Sequence, residues 1–513
     1  MSKSVSATIE QMMQPGFYPH AVQEPIQLIQ THSSYVLLTG DYAYKLKKPV
    51  NFGFLNYSTL QKRQHFCQEE LRLNRVAAPE IYLEVLPVTR NGDKYQLGGA
   101  GEAVEYTLKM RQFPQETLFS EMFDRGGLEE QHVAQLGQVV AQYHAKAVTS
   151  NYISSFGEVS QIRAAFDENY QQTEKYIGVA QTQQQFIETK NYTDKFFRDR
   201  TELFQSRVNH NFIRECHGDL HLRNICLWQG KVMLFDCIEF NEAFRFVDVI
   251  YDVAFAMMDL EARNGKELGN IFLNTYIEQT GDYEGLQVLS LYLSRQAYVR
   301  AKVTSFLLDD PNVPQTAKQQ ATSTAADYYR LAWEYTKPQT GKLILMSGLS
   351  GSGKSTTARY LARHLGAVHL RSDAVRKHLA GIALLQRGGD ELYTPQMNHK
   401  TYSRLMELGI MLARLGFSVI LDAKYDKQQL RGEVIEQADK YQIPWQIVNC
   451  TAPENVLRQR LVKRTGDVAD ATVDLLISQM KAAEPFSDRE KSHLKILDTT
   501  QPQQAQLKQL ISQ

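Results

Sequence analysis

The sequence predicts two domains, an α+β domain over residues 1–336 and an α/β domain with a parallel sheet over residues 342–513. Three observations predict this. Residues 25–112 alternate short strand-like runs around one strong helix pattern, and helical periodicity takes over from Glu129 onward. Lys337-Pro338-Gln339-Thr340-Gly341 has the composition of a linker. Beyond it the pattern resets to an apolar strand, a glycine loop and a helix. A chain of 513 residues has room for both, since domains typically hold roughly 100–200 residues.

In the first domain, Gln27–Thr31, Tyr35–Lys47, Ile81–Val88 and Ala103–Arg111 carry strand patterns. Ser58–Val76 reads as a helix with Ser58 or Thr59 as its N-cap. Residues 160–210 are rich in Gln, Tyr and Lys with recurring aromatics, which predicts exposed helices rather than disorder. Two apolar runs, Asn224–Leu227 and Lys231–Phe235, flank Gln229-Gly230 and predict a small hairpin. Pro311–Ser323 reads as a loop entering a helix that runs to Glu334. The Gln-rich C-terminal end reads as a solvated helix, and no internal repeat occurs.

Lys+Arg and Asp+Glu are equal at 57 each, so the long-range field is weak and a general nucleic-acid binder is disfavoured. The five cysteines are irregularly spaced with no Cys-x-x-Cys, which points to buried thiols rather than disulfides or zinc. The first ten residues lack a basic segment followed by an apolar run, so no secretory leader is expected. With no apolar stretch of about 18 residues, no membrane span is expected, and the reading is cytoplasmic. No feature specifies an oligomer.

One constellation reads His217-Gly218-Asp219-Leu220-His221-Leu222-Arg223-Asn224, followed by Leu234-Phe235-Asp236. Phosphoryl transfer to a hydroxyl needs a carboxylate to orient the acceptor and take its proton, and oxygen ligands for a bridging metal. Asp219 fits the first role. Asn224 and Asp236 fit the second, because amide and carboxylate oxygens suit Mg²⁺. The hairpin between them can return Asp236 to the same site.

These residues resemble the aminoglycoside phosphotransferase and choline kinase superfamily, relatives of the protein kinases, over about residues 25–335. The resemblance implies a bilobal protein-kinase-like fold with an N-lobe over about 25–112, a C-lobe over about 113–336 and ATP between them. It implies Asp219 as catalytic base, Asn224 and Asp236 as metal ligands, His217 as loop support and Asp252 as a buried loop brace. It also calls for a Lys–Glu ion pair. Lys45 and Lys47 share one face of a strand, the helix offers Glu69 and Glu70, and Lys45 with Glu70 is the assigned pair. Ala103–Phe113 sits where an interlobe hinge belongs. No Gly-x-Gly-x-x-Gly precedes the lysine strand; Thr31-His32-Ser33-Ser34-Tyr35 stands there instead.

A second constellation, Gly348-Leu349-Ser350-Gly351-Ser352-Gly353-Lys354-Ser355, lies between the strand Leu343–Met346 and a helix to Leu365. This is the G-x-x-x-x-G-K-[ST] phosphate loop in its required context. Its N–H groups and the helix N-terminus attract phosphate. Lys354 serves the β/γ-phosphates, Ser355 the Mg²⁺, and Gly348, Gly351, Ser352, Gly353 and Thr356 complete the nucleotide contact. Asp373 and Arg376 follow a second apolar stretch. Asp422 ends a buried strand, at the edge where ligands bind in open α/β sheets. On the helix Pro453–Arg464, Arg460 and Arg464 share a face.

This half resembles the small P-loop kinases that include gluconate kinase, chloramphenicol phosphotransferase and the zeta toxins, over about residues 341–495. That implies a three-layer P-loop NTPase fold, Asp373 as base for the substrate hydroxyl, and Arg376 as substrate or phosphate contact. It also implies Asp422 as metal-shell or catalytic carboxylate, and Arg460 and Arg464 as lid arginines. Lys424 departs from the small or hydroxyl residue expected after that strand.

The whole arrangement resembles a bacterial fusion family of the two modules, so an ATP- and Mg²⁺-dependent kinase acting on small-molecule hydroxyls at two sites is expected. The alternatives are one catalytic domain regulated by a nucleotide-binding P-loop domain, or a nucleic-acid 5′-hydroxyl kinase.

Overall fold

Alternating apolar and polar residues over the first hundred positions build a six-stranded antiparallel sheet. Its strands are β1 (Gln27–Gln30), β2 (Ser34–Leu38), β3 (Tyr42–Lys47), β4 (Tyr82–Asn91), β5 (Lys94–Leu97) and β6 (Glu102–Arg111), in the order β1-β2-β3-β6-β4-β5. The expected single strand Tyr35–Lys47 is a hairpin. Gly40 turns the chain at φ +105°, and Thr39 donates from N and Oγ1 to Tyr42 O at 2.9 and 2.8 Å.

This computed structural model describes residues 3–463, 468 and 474–501. The chain forms two compact units, the first being Met1–Gln172 with Thr193–Asp259 and the second Thr173–Tyr192 with Leu260–Gln513.

In the first unit, α1 (Leu60–Ala77) begins at Thr59, whose Oγ1 accepts from Lys62 N–H at 3.2 Å. Strand alternation on β3 separates two environments. Tyr44 and Leu46 enter a core with Tyr18, Leu37 and Val88. Lys45 and Lys47 face the other way, where α1 buries Glu70. A second core joins Leu71, Ile81, Tyr82 and Leu108 to Cys226 and Met233. After α2 (Glu130–Lys146), the helices at 159–173, 183–199 and 201–209 bury Phe166, Tyr170, Phe197 and Phe204. Phe197 stacks on Phe204 at 5.0 Å.

Strand β7 (Ile213–Glu215) leads into the His217–Asp219 loop. The expected hairpin follows as β8 (Ile225–Trp228) and β9 (Lys231–Leu234). Gln229 and Gly230 both have positive φ, 50° and 77°, as a two-residue type I′ turn requires. Strand β10 (Phe246–Asp248) pairs back onto β7 and runs into α3 (Val249–Ala262).

The second unit contains α4 (Lys266–Thr280), α5 (Leu286–Ser305) and α6 (Gln315–Glu334). The stretch expected to be a loop from Pro311 to Ser323 is already helical from Gln315. Pro314 stands at the N-cap and no glycine or proline interrupts the turns that follow. The same unit holds a parallel sheet of β11 (Lys342–Ser347), β12 (Val368–Arg371), β13 (Ser418–Asp422), β14 (Trp445–Thr451) and β15 (Leu494–Asp498). Their order is β12-β13-β11-β14-β15. Helices α7 (Lys354–Leu365), α8 (Ser372–Ala380), α9 (Pro395–Arg414), α10 (Gln428–Lys440) and α11 (Glu454–Lys463) accompany it. Ile344, Met346, Ile420 and Val448 pack with Ala358 and Leu361 of α7. The parallel strands bring Gly348, Arg371 and Asp422 to one sheet edge. Arg464 and the tail 502–513 lie outside the described residues.

The segment 337–341 is pinned. Lys337 pairs with Glu188 and lies over the Trp333 ring. Gly341 is buried, and a Cβ there would stand 2.0 Å from Ala413 O. Gly341→Ala is therefore expected to cost about 1–3 kcal/mol. Gln339→Ala, at an exposed position, should change stability by less than about 0.5 kcal/mol. Paired thermal melts of the two variants check this.

Candidate active sites

In the first unit the loop carrying Asp219 is held by a buried carboxylate on α3. Asp252 Oδ2 accepts from His217 N–H at 2.7 Å and Oδ1 from Gly218 N–H at 2.9 Å. His144 of α2 lies 3.2 Å from Oδ2. Asp252, His144 and Cys216 form a buried cluster of ligand-type groups, but the carboxylate is already engaged by the two backbone N–H groups. Gly218 has φ +83°, and a Cβ would stand 2.6 Å from Phe244 O, so only glycine fits.

His217 ties the two halves of the constellation together. Its Nε2 donates to Phe235 O at 2.9 Å and its Nδ1 accepts from Asp219 N–H at 3.3 Å. Burial holds its pKa below the ordinary histidine value, against the pull of Asp252 and Asp219. The neutral ring matches one donating and one accepting nitrogen. Asn224 Nδ2 donates to Asp219 O at 3.0 Å and to Asp219 Oδ2 at 3.2 Å. Asp236 sits at φ +63°, donates from its N–H to Tyr82 Oη at 3.0 Å, and is half-exposed. A non-glycine residue in that conformation is strained, which is common at functional carboxylates.

Lys45 Nζ donates to Glu70 at 2.7 Å and to Asp236 at 2.6 Å. The assigned pair is formed, and Glu69 instead meets Arg72 on the outer face. Lys47, two residues on, reaches the other oxygen of Glu70 at 2.7 Å and also pairs with Glu239, which accepts from Tyr57 Oη. Burial alone would raise the Glu70 carboxyl, but the two lysines hold it down at about 2. Burial leaves Glu239 raised despite Lys47. At the position of the missing glycine loop, Thr31 closes its own turn, with Ser34 N–H on Thr31 Oγ1 at 3.0 Å.

In the second unit, Gly348, Gly351 and Gly353 have φ of 130°, 80° and 90°. A Cβ on Gly348 would stand 2.3 Å from Cys450 O, and one on Gly351 2.9 Å from Leu457 O. The loop leads into α7 at Lys354, whose Nζ donates to Leu349 O at 2.9 Å. Ser352 Oγ is buried without a hydrogen-bond partner among the described residues. A cleft of about 1060 Å³ opens beside the loop. It is lined by Lys354, Ser355, Thr356, Asp373, Arg376, Asp422 and Arg460.

Residues 343–485 match the family described as AAA domain.

Uncharacterized proteins of Mycobacterium tuberculosis and Mycobacterium bovis are each 29% identical over 454 residues, 88% of this chain and 88% of theirs. Among solved structures, a sugar kinase from Janibacter sp. shares 24% identity over 34% of this chain and 94% of its own, with a TM-score of 0.26. The APS kinase of Mycobacterium tuberculosis in complex with AMPPNP and APS shares 21% over 34% and 98%, at 0.26. A choline/ethanolamine kinase family protein from Mesorhizobium loti shares 11% over 64% and 99%, at 0.36.

Within the AAA segment, Asp422 is buried at the end of β13. Its Oδ2 lies 3.0 Å from His369 Nε2 and 4.0 Å from Arg371 Nε. Burial raises its carboxyl, yet His369, Arg371 and Lys354 together hold it at about 2. Asp373 lies in the first turn of α8. Arg376 is buried, stacks on Tyr393 and donates from Nη1 to Leu392 O at 2.9 Å and Asn398 Oδ1 at 2.8 Å. Arg460 of α11 donates to Gly351 O at 3.3 Å and to Thr499 Oγ1 at 2.8 Å, while Arg458 turns away to Glu454. Lys424 lines the cleft and pairs with Asp426 at 3.0 Å.

Both donor sets fit magnesium, being oxygen-rich and carboxylate-led. Sequence reasoning missed Glu239, Tyr57, His369 and Thr499. Glu239, His369 and Thr499 lie far along the chain from the groups they serve, and for none of the four does a local pattern announce it.

Glu70→Gln removes the carboxylate shared by two buried lysines, so a cost of about 3–5 kcal/mol is expected at neutral pH. The folded Glu70 carboxyl lies near 2 rather than its ordinary 4.5. Its stabilisation is therefore complete above the ordinary value and fades as pH falls toward the folded one. Urea unfolding between pH 7 and 2 should show the wild type losing stability over that window more steeply than the variant.

Proposed function

We propose that the chain is a phosphotransferase with two sites, each moving the γ-phosphoryl of ATP to a hydroxyl of a small molecule. The observation that carries this is the pairing of Lys45 with Asp236, 191 residues on, at 2.6 Å and of Asn224 with Asp219 at 3.2 Å, the two pairs linked by His217, which bonds Asp219 N–H and Phe235 O. Phosphoryl transfer asks a protein mainly for positioning and charge, and these residues supply both.

In the first site, Asp219 orients the acceptor hydroxyl and takes its proton. Asn224 donates from Nδ2 to Asp219, and Asn224 and Asp236 would hold the cation. Lys45, fixed by Glu70, meets the phosphates. In the second site, the loop N–H groups and Lys354 would hold the triphosphate, and Ser355 and Asp422 would hold the cation. Asp373 faces the acceptor, and Arg376 and Arg460 supply charge to acceptor and phosphate. A bound magnesium ion would supply offset of the phosphate charge in each site. The excess of cationic residues in the cleft supports a phosphate-bearing ligand; the balanced charge of the whole chain weighs against a nucleic-acid acceptor.

Phosphate transfer from γ-labelled ATP, screened against metabolite, antibiotic and oligonucleotide pools, tests the proposal. Asp219→Asn should lower the rate of one product by about 100-fold or more, and Lys354→Ala should abolish another. If Lys354→Ala changes only the rate of the Asp219-dependent product, the P-loop site is regulatory. Loss of neither product in either variant refutes the two-site reading.

A further inference from the structure

Strand β12 is the outermost strand of the parallel sheet, and an open strand edge leaves N–H and C=O groups without partners. Helix α4 covers that edge with a side chain. Asn274 Nδ2 donates to Ala367 O at 3.0 Å, and Asn274 Oδ1 accepts from His369 N–H at 2.7 Å. These two groups flank Val368, and one residue of an added parallel strand would engage the same pair. Asn270 Nδ2 donates to the same carbonyl at 3.0 Å, and Glu267 pairs with Arg363 of α7. The amide thus fixes α4 in register against the P-loop fold.

One turn beyond Asn274, Glu278 lies on the same face of α4. Its carboxylate accepts from Arg371 Nη1 at 3.0 Å, and its carbonyl accepts from His378 Nε2 at 2.8 Å. Arg371 lines the cleft with its side chain 8% exposed, and its Nε stands 4.0 Å from Asp422 Oδ2. The guanidinium is hydrogen-bonded to Glu278 and stands at the outer limit of an ion pair with Asp422.

We infer that Glu278 is a positioning residue for the P-loop site, holding Arg371 off Asp422 so that this carboxylate stays open to the magnesium ion that arrives with nucleotide. The inference rests on the reading of Asp422 as a cation ligand. Without Glu278 the guanidinium can close the 4.0 Å gap to Asp422. A closed Arg371–Asp422 pair uses the oxygens the cation needs, because guanidinium and carboxylate pair strongly and in two-pronged fashion. The control on the second site therefore comes from a helix about 75 residues upstream of the phosphate loop, counted from Glu278 to Gly353.

Fluorescent ATP-analogue titrations on the full-length protein, with magnesium varied, test this on the binding component that Lys354→Ala removes. Glu278→Gln should raise the magnesium needed for half-saturation by about 10-fold or more, and adding Arg371→Gln should bring it back toward wild type. An unchanged requirement in Glu278→Gln, or a double variant no better than the single, overturns the inference. If Glu278→Gln does not fold, Arg371→Gln is read alone. An equal or lower magnesium requirement supports the inference and a raised one overturns it. Absence of any Lys354-dependent binding in the wild type would overturn the P-loop reading as well, whereas such binding with an unaltered requirement overturns the Glu278 inference alone.

Discussion

A carboxylate removed from water must be met by cations or by several N–H groups, and both sites are organised around that demand. In the first unit Asp252 meets it with two consecutive backbone N–H groups. The loop that carries Asp219 is therefore tied at its backbone. Glu70 meets the same demand with two lysines. Because the lysines sit two apart on β3, one carboxylate fixes both, and Lys45 is held where it also reaches Asp236. Removing any one charge strands the others, so the set behaves as a unit.

The second unit solves the problem differently. Asp422 ends a strand whose neighbour β12 ends at Arg371, and parallel pairing places the two side by side. His369, two residues earlier on β12, reaches the same carboxylate. Strand register therefore does for Asp422 what helix and loop do for Glu70. The carboxylate stays charged in a dry place beside a loop whose glycines keep backbone N–H groups clear of side chains.

Motifs with fixed spacing were legible in the sequence. The phosphate loop, the His217–Asn224 run and the returning Asp236 announce themselves because their geometry is local, or closed by a hairpin with a diagnostic Gln229-Gly230 turn. The Lys45–Glu70 pair was legible through strand alternation and one choice between adjacent glutamates. Lys47 was not, because two lysines on one carboxylate look from the sequence like one functional and one exposed charge. Glu239 and Tyr57 bury that second lysine, and they lie 192 and 10 positions from it. Aromatic residues at 160–210 suggested order, yet their burial depends on helices meeting across distant turns.

The boundary between modules carries the same lesson in energetic form. Composition marks a break at Lys337–Gly341, where the chain turns from helix to strand. Contacts mark theirs at Asp259 and Leu260, because α4 to α6 group with the parallel sheet. The physical cause is the edge of β12. A five-stranded parallel sheet ends in backbone groups that water would otherwise solvate, and here a side-chain amide and a helix face close it. Once Asn274 satisfies that edge, the next turn of the same helix necessarily stands beside Arg371. Covering the edge and placing a carboxylate at the cleft are then one structural event, so any change that loosens α4 acts on stability and on the charge balance around Asp422 together.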